Sequence, residues 1–297
     1  MSARRQTRSP RHASRPAGRA ASLAAAAPRS LEKRLRRHLE SDLRSFRATV
    51  VGYWKASGRS HLPWRKTRDP YAILVSEIML QQTQVDRVIP YFERWMKTYP
   101  TPEALAKAPL SEVLRHWSGL GYNRRAKYLH DAAAILLTDM LFSRGRGKIA
   151  YEELRKLPGV GDYTAKAVRV FAWNEPEVLI ETNVRTVFLH HFFSRSRAVS
   201  DARLMPLIAE ALEGQDPRTW YAALMDYGTF LKATRSNPSR KSAHHVRQAK
   251  FKGSLRQVRG AIVRAHLAGT PLAAVRRLFP AQFDPAHASL EAEGLLG

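Results

Sequence analysis

The chain has 297 residues, 44% of them hydrophobic, so it can bury a core and is long enough for two domains; no apolar run approaches the roughly 20 residues that span a bilayer, and we expect a soluble protein without a membrane partner. Its 50 lysines and arginines against 25 aspartates and glutamates give a formal net charge of +25, which favours a polyanionic partner. The chain has no cysteine, which excludes disulfides, thiolate nucleophiles and cysteine-held zinc or iron–sulfur centres.

The first 30 residues contain no acid and are rich in Arg, Ala, Ser and Pro. This composition is typical of a disordered basic arm that adds nonspecific affinity for nucleic acid. An organelle transit peptide has the same composition and stays open as an alternative. Otherwise we expect a cytoplasmic, nucleoid-associated protein.

Helical periodicity begins near residue 31, where apolar side chains recur with a spacing near 3.6. Asp69-Pro70 is typical of a helix start, and the following helix, 73–80, is apolar on nearly every side and must be buried. No segment alternates with period two, so the predicted fold is all-α. Further helices are predicted at 84–98, 103–117, 124–139, 151–156, 162–173, 182–193, 202–213 and 218–232.

The C-terminal part differs in composition from the rest. Residues 235–252 are basic and polar, and we expect them to be irregular. Helices are predicted at 254–267 and 270–278, and an apolar stretch ends the chain at 290–296. Two or three short helices here are enough for a small helix-turn-helix or winged-helix unit.

A turn with two glycines behind a proline precedes the predicted helix 162–173. Such a turn leaves the first amides of the helix free, and free amides at a helix N-terminus bind anions. In so basic a chain the obvious anion is a nucleic-acid phosphate. A simple packing turn between two helices is the alternative. The residues expected at the phosphate site are Pro158, Gly159, Val160, Gly161 and Thr164.

Glu77 lies in the middle of the apolar helix 73–80. An ionised carboxylate is costly there without a partner, so burial should raise its pKa and make it a proton donor near neutral pH. The alternative is a carboxylate at the helix edge, paired with Arg65 or Arg68.

Glu181 follows an apolar stretch and stands near the start of the predicted helix 182–193, where the helix dipole favours its ionised form. A simple capping acid is the alternative. One protonated and one ionised carboxylate are the equipment for breaking a glycosidic bond through an oxocarbenium-like state. This argument gives a reaction class and no substrate.

Two further segments carry groups suited to nucleic acid. The amides of Gln81 and Gln82 can donate and accept, which suits reading base edges or filling the gap left by a flipped nucleotide. A polar helix end is the alternative. The glycine turn 119–122 carries Tyr122 and precedes Arg124 and Arg125, a pattern that can contact phosphates or stack on a base.

Taken together, these motifs resemble the MutY-type adenine glycosylases of the helix-hairpin-helix DNA glycosylase superfamily. The resemblance covers roughly residues 45–232. It rests on the order and spacing of five segments: Pro63-Trp64-Arg65, SEIMLQQTQV at 76–85, GLGY at 119–122, LPGVGDYTA at 157–165 and Asn183-Val184-Arg185.

The resemblance implies two all-α lobes with the DNA and the catalytic pocket between them. A six-helix lobe at 62–172 would hold the helix-hairpin-helix. The second lobe would combine 31–61 with 173–253. The arm 1–30 and a small helical unit at 254–297 would be appendages.

The resemblance also implies roles for residues. Glu77 looks like the acid that protonates an adenine ring nitrogen, Glu181 falls where the family has an aspartate that stabilises the sugar cation, and Asn183 is its neighbour. Tyr163 stands where bifunctional relatives carry a Schiff-base lysine, which implies hydrolysis without strand cleavage. Contacts with substrate or DNA are implied for Arg65, Gln82 and Tyr122, and we predict such contacts also for Gln81 and Arg185.

Three departures from the family pattern stand out. Glu181-Thr182 replaces Asp-Gly, and the extra methylene moves the carboxylate by about 1.5 Å unless the backbone compensates, a shift that can cost ~10²-fold in rate. The four cluster cysteines are absent, with Lys232 near the first of their positions, which indicates a clusterless variant. Only 45 residues follow Lys252, too few for the domain with which the family recognises 8-oxoguanine.

We therefore predict a monomeric, monofunctional DNA glycosylase of base-excision repair, without metal or cofactor. Its substrate would be double-stranded DNA in which adenine is mispaired with guanine or 8-oxoguanine. A G/T or G/U mismatch glycosylase stays open because some such relatives carry tyrosine at the Tyr163 position, although Gln81 to Gln84 favour adenine. A non-catalytic DNA-binding protein stays open because of Glu181.

Overall fold

The computed structural model describes residues 29–138, 147–235, 237–244 and 250–296. Within these ranges the chain is helical, and its extended pairing is limited to one bridge between Val199 and Ser242. The described residues up to Ser45 form one compact unit, and those from Phe46 onward form a second. Among the described residues no helix is both long and apolar enough to cross a membrane.

A 3-10 turn at Pro63–Arg65 precedes the second helix, and another at Pro238–Lys241 follows the eleventh. The predicted all-α class is confirmed. The described helices are α1 (Arg29–Ser57), α2 (Pro70–Leu80), α3 (Val85–Thr98), α4 (Pro102–Lys107), α5 (Leu110–Trp117), α6 (Arg124–Thr138), α7 (Tyr151–Lys156), α8 (Asp162–Trp173), α9 (Thr182–Phe192), α10 (Asp201–Leu212), α11 (Pro217–Thr234), α12 (Leu255–Leu267), α13 (Ala273–Leu278) and α14 (Pro280–Ala292).

Helix α2 begins as its sequence predicts. The Asp69 carboxylate accepts hydrogen bonds from the amides of Tyr71 at 3.1 Å and Ala72 at 3.2 Å, and Pro70 occupies the first turn. Every residue from Tyr71 to Met79 is buried, so the helix is enclosed on all sides. The hydrophobic effect therefore fixes this helix, and with it the position of Glu77.

Four expectations about the secondary structure differ from the observed elements. Residues 103–117 form two helices, because Pro109 has no amide hydrogen to continue α4 and instead caps α5. The helix predicted at 270–278 begins only at Ala273, and residues before the apolar end form α14, which the sequence analysis did not separate. The basic segment predicted to be irregular contains the 3-10 turn Pro238–Lys241.

The C-terminal helices share a core with residues 62–172. Val258 and Ile262 of α12 and Phe283 and Leu290 of α14 belong to the same cluster of buried apolar side chains as the residues of α2 to α8. Residues 250–296 contain three helices and no strand, which does not fit a winged-helix unit. The predicted division into lobes stays a prediction, and nearly all of the arm 1–30 lies outside the described residues.

Helices α9 and α11 approach each other closely at Gly228. A Cβ atom added there would lie 2.4 Å from the carbonyl oxygen of Asn183, so glycine is required. Helix α8 packs against both α2 and α11. The helices that carry Glu77, Tyr163 and Asn183 are therefore held together around one point.

We expect Gly228→Ala to lower the free energy of unfolding by about 1–3 kcal/mol, because the new methyl group forces α9 and α11 apart. The control is Gly52→Ala in α1, where an added Cβ meets nothing within 4 Å. That substitution should stabilise the helix by roughly 0.5–1 kcal/mol. Urea unfolding of both variants checks this; equal stability of the two would contradict the close approach.

Candidate active site

A cavity of about 490 Å³ lies among α2, α8, α9 and α11. Two carboxyl groups, those of Glu77 and Glu181, face it together with the Tyr163 ring and the Asn183 amide. Much of the remaining wall is apolar and aromatic. These wall residues are Trp54, Leu62, Trp64, Ile73, Phe171 and Met225.

The Glu77 carboxyl group is only 9% exposed. Burial and, after it, the charge of the nearby Glu181 raise the pKa of Glu77 to about 7, while a hydrogen bond from Tyr163 and the Arg65 charge act in the opposite direction. The raised pKa agrees with the sequence-based expectation. Pairing of Glu77 with Arg65 is wrong, because that guanidinium binds Asp226 instead.

Glu181 caps helix α9 and lines the cavity at the same time. One carboxylate oxygen accepts from the amides of Asn183 at 2.7 Å and Val184 at 2.9 Å, and the other accepts from the Asn183 side chain at 3.2 Å. Burial raises the pKa of Glu181, against these amides and the charges of Lys232 and Arg185. The helix dipole was expected to favour the ionised form of Glu181, but burial shifts its pKa the other way.

Tyr163 lines the same cavity and interacts electrostatically with both carboxyl groups. Its pKa is raised well above the ordinary value, first by burial and then by the charges of Glu77 and Glu181. The phenol therefore stays protonated and donates its hydrogen to Glu77. No amine occupies this position.

Asp226 on α11 is also buried, but its pKa is lowered, whereas that of Glu77 is raised. It is 2% exposed, and burial alone would raise its pKa, but Arg65 and Arg59 outweigh that effect and its pKa is lowered. Arg65 binds it bidentately at 2.7 and 2.8 Å, and Arg59 donates from both its backbone amide and its side chain. Asp226 was not predicted as a site residue. It could have been, because it is an acid within the largely apolar helix 218–232, the same pattern that singled out Glu77 in the helix 73–80.

Two arginines predicted to contact DNA are occupied by carboxylates. Arg65 binds Asp226 and stacks on Trp54 at 5.2 Å while still lining the cavity. Arg185 binds Asp201 through two hydrogen bonds of 2.6 and 2.7 Å, which ties α9 to α10. Their contact with DNA stays a prediction.

Arg125, which the sequence left as a surface phosphate contact, is buried and closes the C-terminal end of α2. Its guanidinium donates to the carbonyl oxygens of Ile78, Met79 and Gln81 at 2.7–2.9 Å. It also donates to the Thr83 hydroxyl and the Gly121 carbonyl. The Arg125 guanidinium therefore fixes two loops beside the cavity, the one that contains Gln81 and Thr83 and the glycine-rich turn at Gly121.

The hairpin between α7 and α8 has the predicted form. Gly159 has a φ of +76°, and an added Cβ would lie 3.0 Å from Tyr128, so only glycine fits. Gly161 is the N-cap of α8 and has no side chain to bind the first amides of the helix. The Gln81 side chain donates to the Gly159 carbonyl at 3.3 Å, which joins the end of α2 to the hairpin. The roles of Pro158, Val160 and Thr164 toward phosphate stay predictions.

The segment around Lys232 does not fit an iron–sulfur cluster. The chain has no cysteine to supply thiolates. Lys232 is half-buried and interacts electrostatically with Glu181. Beyond it, Val199 donates to Lys241 at 2.9 Å and accepts from Ala243 at 3.0 Å. In the described residues no three His, Asp or Glu side chains converge as a metal site would require.

This fold and site define a class: an all-α protein with a helix-hairpin-helix beside a cavity that holds two buried carboxyl groups. Residues 75–211 match the model of the HhH-GPD superfamily of base excision DNA repair proteins. A solved thermostable thymine-DNA glycosylase is similar, with a TM-score of 0.57 and 26% identity over 67% of this chain and 91% of that one.

Adenine DNA glycosylases are among the similar sequences. That of Mycolicibacterium smegmatis is 38% identical over 62% of this chain and 62% of its own. That of Buchnera aphidicola subsp. Baizongia pistaciae is 34% identical over 65% and 54%, and that of Rattus norvegicus is 34% identical over 69% and 40%. The chain therefore spans less than two thirds of each of these relatives.

We expect Glu77→Gln to gain stability relative to the wild type as the pH rises. The folded protein binds the Glu77 proton more tightly than the unfolded chain, so ionisation costs folding free energy above the ordinary pKa of 4.5 and the cost levels off above about 7. The gain should be small near pH 5 and reach on the order of 3 kcal/mol by about pH 8. Urea unfolding across this range measures it; a difference independent of pH would contradict the raised pKa.

Proposed function

We propose that this protein is a monofunctional DNA glycosylase of base-excision repair, acting as a monomer at the nucleoid. It would hydrolyse the N-glycosidic bond of adenine mispaired with guanine or 8-oxoguanine in double-stranded DNA. The observation that carries the proposal is the pair Glu77 and Glu181 in one cavity, with the pKa of Glu77 raised to about 7. The similarity to adenine DNA glycosylases supports adenine as the base.

The two carboxyl groups would divide the work. Glu77, protonated near neutral pH, would donate its proton to a ring nitrogen of the flipped adenine, so the base leaves as a neutral molecule. The bonding electrons of the glycosidic bond go to the base, and the sugar carries an oxocarbenium-like positive charge. Water then adds to the sugar carbon and loses a proton, which leaves an abasic site.

Glu181 would stabilise the positive charge on the sugar. Two amides of α9 and the Asn183 side chain hold its carboxylate in place. The charge of Glu181 disfavours ionisation of Glu77, so an ionised Glu181 helps Glu77 to keep its proton. The charges of Lys232 and Arg185 favour placing the negative charge on Glu181.

The cavity suits a flipped base in size and lining. Its aromatic and apolar wall residues can stack against a planar ring, and the low polarity strengthens the interaction of the carboxyl groups with the reacting atoms. Tyr163 offers no amine for a Schiff base, which supports hydrolysis without strand cleavage. The net charge of +25 and the uncapped amides of α8 support binding to the DNA backbone.

Thymine or uracil opposite guanine is the second candidate, because the thymine-DNA glycosylase structure is similar at 26% identity. Assays on duplexes bearing A:8-oxoG, A:G, T:G, U:G and A:T, followed by alkali to cleave abasic sites, separate the candidates. Adenine release supports the proposal, and thymine or uracil release supports the second candidate. Tight binding without any release would show a protein that only recognises DNA.

We expect Glu77→Gln to lower the single-turnover rate of base release at least ~10²-fold while DNA binding is kept, because the amide cannot donate a proton to the leaving base. The wild-type rate should fall as the pH rises through about 7, the pKa of Glu77. Glu93→Gln, an exposed acid on α3, is the charge-matched control and should retain the full rate. A Glu77→Gln variant as fast as this control would overturn the assignment.

We expect Glu181→Gln to fold normally and to lose roughly 10²-fold in rate. The glutamine oxygen can still accept the amides of α9, so the helix cap survives while the negative charge is lost. Thermal unfolding and the single-turnover rate are measured side by side. A loss of rate matched by unfolding at the assay temperature would indicate a capping role alone.

A further inference from the structure

Gln82 lines two cavities: the one that holds the carboxyl groups of Glu77 and Glu181, and a second one next to it. The second cavity has a volume of about 670 Å³. We call it the arginine hollow; Gln82, Tyr122 and Phe251 line it together with Arg87, Arg256 and Arg264. No carboxylate is among its lining residues, so its charge is strongly positive.

The two loops that face the hollow are held in an unusual conformation. Gln82 has a φ of 54° and Tyr122 a φ of 52°, the left-handed region that side chains other than glycine rarely adopt. Arg125 fixes both loops through its bonds to Gln81, Thr83 and Gly121. Strained residues that the surroundings hold in place cluster at ligand sites.

Arg256 on α12 lines the hollow. Its guanidinium donates to the Tyr122 hydroxyl and lies 5.3 Å from the Tyr122 ring and 6.0 Å from the Phe251 ring. Phe251 is 61% exposed. Helix α12 is anchored by Val258 and Ile262 in the core, so Arg256 is positioned by packed structure. Aromatic rings beside a guanidinium form a platform on which an unstacked base can lie.

When a base is flipped, its partner on the other strand loses its hydrogen bonds but stays in the duplex. Gln82 and Thr83 line both the Glu77 cavity and the hollow, so a base flipped toward Glu77 and its partner base would lie on opposite sides of this loop. The two parallel N–H groups of an arginine match the O6 and N7 acceptors of guanine, and cytosine and thymine lack this pair of acceptors.

We propose that the arginine hollow receives the base opposite the excised one, and that Arg256 selects guanine there. The inference rests on the proposed function, because it takes the Glu77 cavity as the place of the flipped base. On this proposal, α12 of this chain recognises the base opposite the excised one. Arg256 is a specificity residue and has no part in the bond cleavage.

The test measures affinity for duplexes that carry a tetrahydrofuran abasic analogue opposite guanine, cytosine or thymine. The wild type should prefer guanine, and Arg256→Lys should lower the guanine-to-cytosine affinity ratio roughly tenfold, because lysine keeps the charge but lacks the bidentate fork. Arg277→Lys, on the exposed surface of α13, is the matched control and should keep the wild-type ratio.

Two results would overturn the inference: a wild type without preference for guanine, or an Arg256→Lys variant with the wild-type ratio, which would assign Arg256 to a phosphate. Thermal unfolding excludes a general loss of structure, since misfolding lowers all affinities and leaves no selective change in the ratio. Adenine release is measured separately. Its absence in a wild type that still prefers guanine would refute the proposed function and leave the hollow as a guanine-reading site.

Discussion

The carboxyl group of Glu77 is carried into the interior by α2, because every residue from Tyr71 to Met79 on that helix is buried. A charge without a compensating cation is costly there, so the group holds its proton up to about pH 7. Asp226 shows the same burial with the reverse result, since two arginines bind it and keep it ionised. The presence or absence of an arginine partner decides which buried acid can donate a proton.

Buried arginines hold the loops around the cavity. Arg125 ties the end of α2 to the turn before α6. Arg65 and Asp226 tie the 3-10 turn 63–65 to α11, and Arg218 donates to the Arg65 and Thr67 carbonyl oxygens at 2.8 and 2.6 Å. Part of the chain's positive charge therefore serves internal structure, and only the rest is available to a polyanion.

The C-terminal segment places two further side chains beside the cavities. Arg256 on α12 and Phe251, which precedes that helix, lie beside the Gln82 and Tyr122 loops, and α12 and α14 pack on the same apolar cluster as α2 to α8. The unit of three helices is small, but its position beside both loops suits the proposed recognition of the opposite base. Gly228 is important on the opposite side of the Glu77 cavity, because the absence of a side chain lets α11 contact the start of α9.

The sequence by itself determined the all-α class, the start of α2 at Asp69-Pro70, the glycine hairpin and the buried acid at position 77, because caps, periodicity and an acid in an apolar run are local signals. It missed the break at Pro109, the separate α14, the buried role of Arg125 and the partners of Asp226. The break at Pro109 follows from the missing amide hydrogen of proline and was a local signal. The role of Arg125 and the partners of Asp226 depend instead on contacts between residues more than 40 positions apart, such as Arg125 with Ile78 and Arg65 with Asp226. Only the tertiary structure decided which charges are paired, and therefore which carboxyl group keeps its proton.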